Sequence, residues 1–447
     1  MKKDITIIGA GLVGSLLSIY LAKRGHKVRI YERRGDMRKE TMVAGRSINL
    51  ALSDRGLLAL DKVGLSEEIK QISIPMHGRH IHNLDGSMAF QPYGKEGQFI
   101  NSVSRATLNM KLMDLAEQHA VEIHFNHKCS SIDWKTNQIT FELPDSRLLT
   151  QNSELIFGSD GAFSAARMQH QLQHDKFDFQ QYYIDCGYKE LTIPAGPESS
   201  FLLEKNALHI WPRKDYMLIA LPNIDGSFTC TLFFPFAGEQ SFEKLNNEER
   251  VTSFFEKTFP DILPLIPDLT NQFFHNPVSS LVTVKCFPWI REDKFALIGD
   301  AAHAIVPFFG QGMNCGFEDC RILDELIEQN GDDWLTILQA YQALRKPDGD
   351  AIADLAINNF IEMREKTADP RFLLQKKIEA KLYGKYPDLW IPAYIQVTFS
   401  PQIRYSEALQ RGQRQEAIMQ EVMKMEAIEE KWDSEEIEKL ILNKLIG

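Results

Sequence analysis

Residues 4–32 constrain the fold more than any other stretch. Ile5-Thr6-Ile7-Ile8 is an apolar run of the kind buried in a parallel sheet. Gly9-Ala10-Gly11-Leu12-Val13-Gly14 follows with G-x-G-x-x-G spacing. Ser15 to Lys23 has helical periodicity, and Val28-Arg29-Ile30-Tyr31 reads as a second strand ending on Glu32. In such a unit Gly9 makes the tight turn, Gly11 admits a pyrophosphate and Gly14 lets the helix pack on the strand. Glu32 then accepts from ribose hydroxyls. Strand, glycines, helix, strand and acid in that order predict a bound dinucleotide and a doubly wound sheet.

Ile5 to Ala22 is uncharged. The glycines at fingerprint spacing and the flanking charges set it apart from a signal sequence or membrane anchor. A cytoplasmic protein without an anchor is expected. A chain of 447 residues can build two or three subdomains. A formal charge of −11 makes nucleic acid an unsuitable partner. Cys129, Cys186, Cys230, Cys286, Cys315 and Cys320 form no C-x-x-C pair and no metal-ligand spacing. No metal is expected, and the thiols read as small core residues.

Two further strand ends carry acids. Leu155-Ile156-Phe157-Gly158 leads to Asp160-Gly161, with Arg167 one to two helical turns on. Phe295-Ala296-Leu297-Ile298 leads through Gly299 to Asp300, then Pro307, Phe308 and Phe309, and the helix opening Gly310-Gln311-Gly312-Met313-Asn314. An acid at a strand end can accept from a ribityl or ribose hydroxyl. Glycines opening a helix let backbone N–H groups approach a phosphate or an anionic ring edge. His303 reads as structural. Between the last two acids, from about Tyr182 to Phe287, alternating apolar and aromatic runs separated by turns predict an inserted antiparallel sheet, which Met76 to Tyr93 joins. Phe233, Phe234 and Phe236 read as its core. After Asn314 the chain reads as helical. Near its end Asp433 and Glu436 suggest a capping box, before an apolar face of Ile437, Leu440, Ile441 and Leu445. That face packs on the body, or else forms a homodimer or membrane-surface contact.

The three ordered motifs resemble the single-component FAD-dependent aromatic hydroxylases of the para-hydroxybenzoate hydroxylase type. The resemblance implies bound FAD, with NADPH and O2 as co-substrates and a flavin C4a-hydroperoxide as the hydroxylating species. No catalytic acid or base is then assigned. Further segments narrow it to a branch acting on an aromatic amino acid: Gly45 to Leu52, Gly187 to Leu191, Asn206 to Pro212, Val306 to Asn314, Phe360 to Met363 and Val397 to Ser400. By matching position, Arg79, Tyr93, Asn359 and Tyr394 would hold the amino-acid end of that small-molecule substrate, with Phe308 and Phe309 near its ring. The cofactor contacts so implied are Gly9, Gly11, Gly14, Glu32, Arg33, Arg46, Asn49, Arg105, Asp160, Gly161, Asp300, Pro307, Gly310, Gln311, Gly312, Met313 and Asn314. The chain has no second dinucleotide fold, so NADPH would bind transiently on the FAD domain. Glu32 would repel a 2′-phosphate beside Arg33 and Arg34, which favours FAD there. The alternative is a related hydroxylase acting on another aminoaryl or phenolic substrate.

The expected architecture is α/β: a Rossmann-like FAD-binding domain, an inserted antiparallel β-sheet substrate domain and a C-terminal helical region. The expected division gives 1–73, 102–180 and 288–345 to the first, 74–101 and 181–287 to the second, and 346–447 to the third, which completes the substrate pocket.

Overall fold

The computed structural model describes residues 2–39, 49–95, 97–365 and 369–446, with backbone only at 363–365 and 446. Asp4–Ile8 is the central strand. Leu155–Gly158 and Lys27–Tyr31 flank it in parallel, and Phe295–Leu297 and Glu122–His124 extend the parallel sheet on either side. Ile290–Arg291 closes one edge antiparallel. The helices Leu12–Lys23, Arg105–Gln118 and Gly312–Asn330 pack together over one face.

The other face departs from the doubly wound expectation. It is covered by an antiparallel meander, Lys128–Asp133, Gln138–Glu142 and Leu148–Asn152. Tyr31 stacks on Phe141 with ring centroids 4.1 Å apart. Ile132, Trp134, Ile139 and Phe141 share one core with Ile5, Ile7 and Ile30. Successive strand residues face opposite ways, so a half-apolar meander can cover the Tyr31 side while helices cover the Ile30 side. Of these short strands only Gln138–Glu142 alternates cleanly, and sequence reading passed over them.

The inserted sheet is present. Its order is Ser279–Phe287, Asp178–Ile193, Phe228–Phe234, Tyr216–Pro222, Ala207–Arg213, Gly78–His82, Met88–Pro92. All neighbours are antiparallel except Ala207–Arg213 against Gly78–His82. The helices Glu248–Thr258 and Leu269–His275 close one face over Phe228, Phe234, Phe255, Phe259 and Phe273. A small sheet of Asn49–Leu52, Ile100–Ser104 and Ser73–Met76 forms alongside.

The remaining chain is helical. The expected boundary at 345/346 falls inside one continuous helix, Trp334–Glu365. Ile437 and Ile441 of the last helix, Glu435–Ile446, are buried in a core with Trp390, Met419 and Val422. This is the packing on the body, so that apolar face is already covered within the chain. The helix is capped by Ser434, whose Oγ accepts from Ile437 N at 3.4 Å; Asp433 instead pairs with Lys381 at 2.6 Å. No helix among the described residues is long and apolar enough to cross a membrane.

Candidate active site

Three motifs far apart in sequence follow the C-terminal ends of adjacent parallel strands, where open α/β sheets bind their ligands. Gly9 has φ +106°, and a Cβ there would lie 2.6 Å from the Ser159 carbonyl, so the fingerprint turn rests directly on the Asp160 segment. A Cβ on Gly14 would lie 2.1 Å from the Gly9 carbonyl, and one on Gly299 would meet Val13 at 3.0 Å. The Gly299-Asp300 turn therefore packs on the fingerprint helix. Gly11 differs: an added Cβ meets no atom within 4 Å, and no side chain caps the helix that it opens. The helix presents open N–H groups toward that space.

Glu32 is buried. Its Oε2 accepts from Ala10 N at 2.9 Å, and its Oε1 from Arg34 N and Nε at 3.0 and 2.9 Å. An ionised carboxylate has about four acceptor sites, so capacity remains for ribose hydroxyls. Arg34, not Arg33, pairs with Glu32; Arg33 is exposed. The Asp160 carboxylate caps the helix Ala165–Leu172, accepting from Ser164 Oγ at 2.5 Å and Ala165 N at 2.7 Å. Burial raises its pKa against those hydrogen bonds. Gly161, at φ +85°, has open space where a Cβ would stand. Arg167 joins two motifs by donating to Ala162 O at 2.6 Å and Ala301 O at 2.8 Å. The Asp300 side chain is open to solvent, yet protein surrounds it densely enough to raise its pKa, with Arg105 opposing. It lies in a recess.

At Pro307–Phe309 a single 3-10 turn ends on Gly310 at φ +67°, followed by the helix Gly312–Asn330, whose start no side chain caps. Asn314 fixes that geometry. It is fully buried, accepts from Ser53 N at 3.0 Å, and donates to Ala51 O at 2.9 Å and Gly310 O at 2.8 Å. Gln311 accepts from the Tyr405 hydroxyl at 3.0 Å, and Met313 is buried core. These side chains hold the turn, and the N–H groups of the helix start have no side-chain cap. Asn49 is likewise engaged, donating to Ser102 Oγ at 3.2 Å, Pro222 O at 3.1 Å and Asn223 Oδ1 at 2.7 Å. Arg46 lies outside the described residues.

The other end gathers Arg79 from the strand Gly78–His82, Tyr93 just past Met88–Pro92, and Tyr394 from the helix Ala393–Phe399. The guanidinium lies 4.7 Å from the Tyr394 ring centroid and 5.1 Å from that of Tyr93, and the two rings stack at 5.9 Å. Burial works against the Arg79 charge, but the two phenol oxygens outweigh it and its pKa rises. Burial also raises both phenols, which therefore stay protonated. No carboxylate among the described residues lies within ion-pair distance of Arg79. Among the described residues the set is one cation and two O–H donors without an anion, which suits a carboxylate.

Rings connect the two ends. Phe309 lies 5.5 Å from Tyr394, and Phe308 lies 4.3 Å from Phe360 and 5.0 Å from Phe233. Asn359 Nδ2 donates to Phe308 O at 2.7 Å, so it holds the aromatic turn as well as bordering the site.

Over residues 2–356 the chain matches the FAD binding domain family. It is 53% identical over 445 residues to the kynurenine 3-monooxygenase of Flavobacterium johnsoniae, covering 99% of this chain and 98% of that one. To the kynurenine 3-monooxygenase of Sus scrofa it is 45% identical over 421 residues, covering 94% and 88%. The chain belongs to the kynurenine 3-monooxygenase family. In fold it is similar to 2-methyl-3-hydroxypyridine-5-carboxylic acid oxygenase, with a TM-score of 0.69 at 19% identity over 90% of this chain and 98% of that one.

As a member of the kynurenine 3-monooxygenase family the chain is an FAD-dependent enzyme, and its residues fit the cofactor. The open helix start at Gly11 suits a pyrophosphate, Glu32 a ribose, the Asp300 recess a polyol and the uncapped start of Gly312–Asn330 a ring edge. His303 lies off this path. It bonds Asp319 at 2.6 Å and Cys315 lies beside it, but Arg345 contacts that carboxylate at 2.7 Å and that sulfur at 3.2 Å. The guanidinium makes this trio an ion-pair network, so His303 is structural. Sequence reading missed Arg55 and Tyr405, and took Phe233 for core, where it is buried beside Phe308. For the first two no pattern marks a charged or phenolic residue as buried.

Proposed function

We propose that the protein hydroxylates L-kynurenine to 3-hydroxy-L-kynurenine, consuming NADPH and O2. The observation that carries this is the half-buried Arg79 between two protonated phenols, with no carboxylate among the described residues within ion-pair distance. When bound, FAD would take a hydride from NADPH and activate O2, one atom of which goes to the ring and the other to water. The residues of the chain do the rest by placement. Arg79 takes the amino-acid carboxylate in a planar fork, and Tyr93 and Tyr394 donate to it. Phe308, Phe309, Phe360 and Phe233 give the aminoaryl ring an apolar bed and exclude water. The aniline nitrogen feeds electron density to the ortho carbon, so the protein needs to hold that carbon and assigns no general base. Asn359 fixes the turn carrying Phe308.

Gly9, Gly11, Gly14, Glu32, Arg105, Gly161, Asp300 and the backbone from Gly310 to Asn314 are the FAD contacts in this reading. Asp160, Gln311 and Asn314 shape the site from behind. The three-part division, with residues 346–447 completing the substrate pocket, belongs to the same reading, as does a cytoplasmic enzyme whose partner is a small molecule. The test is anaerobic reduction of the bound flavin by NADPH with and without L-kynurenine. Strong acceleration by kynurenine, and 3-hydroxykynurenine as the aerobic product, are expected. No acceleration, or turnover only of another aminoaryl or phenolic compound, sinks the proposal.

A further inference from the structure

Arg55 lies in the helix Asp54–Lys62, more than three hundred residues before Tyr394. Its side chain is fully buried and pairs with Glu318 Oε1 at 2.8 Å. Its other N–H groups donate to the carbonyls of Val397 at 2.6 Å, of Gln396 and Ser400 at 3.2 Å, and of Ile403. These carbonyls form the last turn and exit of Ala393–Phe399, the helix that carries Tyr394. A helix end leaves four carbonyls without intrahelical partners, and a cation there also meets the negative end of the helix dipole. Arginine offers five donors in a rigid fork and can serve several carbonyls at once; lysine offers a point charge.

The same guanidinium lies 4.1 Å from the Tyr405 ring centroid, and the Tyr405 hydroxyl donates to Gln311 in the turn before Gly312. Its partner Glu318 is fixed in turn. Glu318 Oε2 accepts from Arg345 at 2.7 Å, Arg345 also binds Asp319, and Asp319 accepts from Gly299 N at 3.1 Å. The cation thus touches the helix of the carboxylate-binding tyrosine, and through two short paths the flavin-facing turn and the Asp300 segment.

We propose that Arg55 is a positioning residue for the hydroxylation. It sets the span between the substrate's carboxylate, through the Tyr394 helix, and the flavin-facing turn, through Tyr405 and Gln311. This rests on the kynurenine reading above. The span decides whether the ring carbon reaches the reactive oxygen, and a displacement of about 1 Å can cost on the order of a hundredfold in rate.

The test is a double-mutant cycle in the FAD-loaded enzyme, using Arg55→Lys and Tyr394→Phe. Arg55→Lys is expected to raise the kynurenine KM on the order of tenfold and to lower product formed per NADPH, with peroxide making up the difference and flavin content unchanged. In the Tyr394→Phe background the same change should barely move KM, because the hydroxyl that it misplaces is gone. A general structural defect would act equally in both backgrounds, so additive KM effects, or an unchanged KM and coupling, overturn the proposal. If Arg55→Lys does not fold, R55M/E318Q, which removes both buried charges together, carries the same cycle. Wild-type enzyme that does not hydroxylate kynurenine overturns the substrate reading and this proposal together. Wild-type turnover with an additive cycle overturns this one alone.

Discussion

Arg79 places a guanidinium between two phenols that burial keeps neutral. Removing it leaves a bound carboxylate with two hydroxyl donors and no counter-charge. Arg79→Ala should raise the kynurenine KM at least tenfold, since truncating one partner of a buried charge pair costs about 2–5 kcal/mol. Arg79→Lys should recover only part of this, because an ammonium cannot offer the planar fork. Steady-state kinetics with peroxide detection decides; wild-type affinity and coupling in Arg79→Ala would remove Arg79 from the site. His303 makes a different prediction. Burial disfavours its charge, but Asp319 overrides it and holds the imidazole well above its usual range, while His303 and Arg345 hold Asp319 low against its own burial. A raised folded-state pKa contributes stability that is complete below the unfolded value, about 6.5, and is lost as pH rises through the folded one. The unfolding midpoint of the wild type should therefore fall with pH from about 6.5 upward, and His303→Gln should flatten that slope. Parallel pH curves for the two proteins would refute it. At this scale sequence reading proposed Arg79 by position within a resemblance, and judged His303 structural. It could not tell that Asn49, Gln311 and Asn314 hold backbone in place, because a polar side chain's partner is set by tertiary contacts.

The fingerprint glycines look alike in sequence but do different work. Gly14 lets the helix approach the Gly9 carbonyl, whereas Gly11 borders open space. Gly14→Ala should destabilise the apoprotein by about 1–3 kcal/mol, as overpacking does. Gly11→Ala, at an ordinary φ of −74°, should leave apoprotein stability unchanged and lower flavin retention. Thermal unfolding of apoprotein and flavin absorbance of purified protein separate the two; equal flavin content in Gly11→Ala and wild type would be the contrary result. Elements with an unbroken pattern were legible: Asp4–Ile8, Lys27–Tyr31, Tyr216–Pro222 and Phe228–Phe234 all lie where their apolar runs predict. The meander at 128–152 was not, because its strands are short and only Gln138–Glu142 has a regular alternation. Nor was the Ser434 cap, since Asp433 and Ser434 both suit a cap and only the packing of Lys381 against Asp433 decides between them.

Across the whole molecule the last helix, Glu435–Ile446, acts as structure for a site built elsewhere. Ile437 and Ile441 share a core with Trp390, a few residues before Tyr394. Deleting residues 434–447 should lower the unfolding temperature and weaken kynurenine-dependent coupling more than flavin binding, because the exposed core borders the Tyr394 helix and not the fingerprint. A truncated enzyme with native coupling would show that this end is dispensable. The sequence by itself determined the dinucleotide fold, the inserted sheet and the helical end, because each rests on local periodicity or on glycine and acid spacing that only a few backbones accept; FAD was implied by the resemblance that the motif order carries. The tertiary structure alone decided which motif side chains are engaged with the backbone and which positions border open space. It also covered one sheet face with strands and brought Arg55, Arg345 and Tyr405 into a buried chain of charges and rings. Burial and long-range partners are properties of the packed chain, and a one-dimensional pattern does not encode which charged side chain will end up inside.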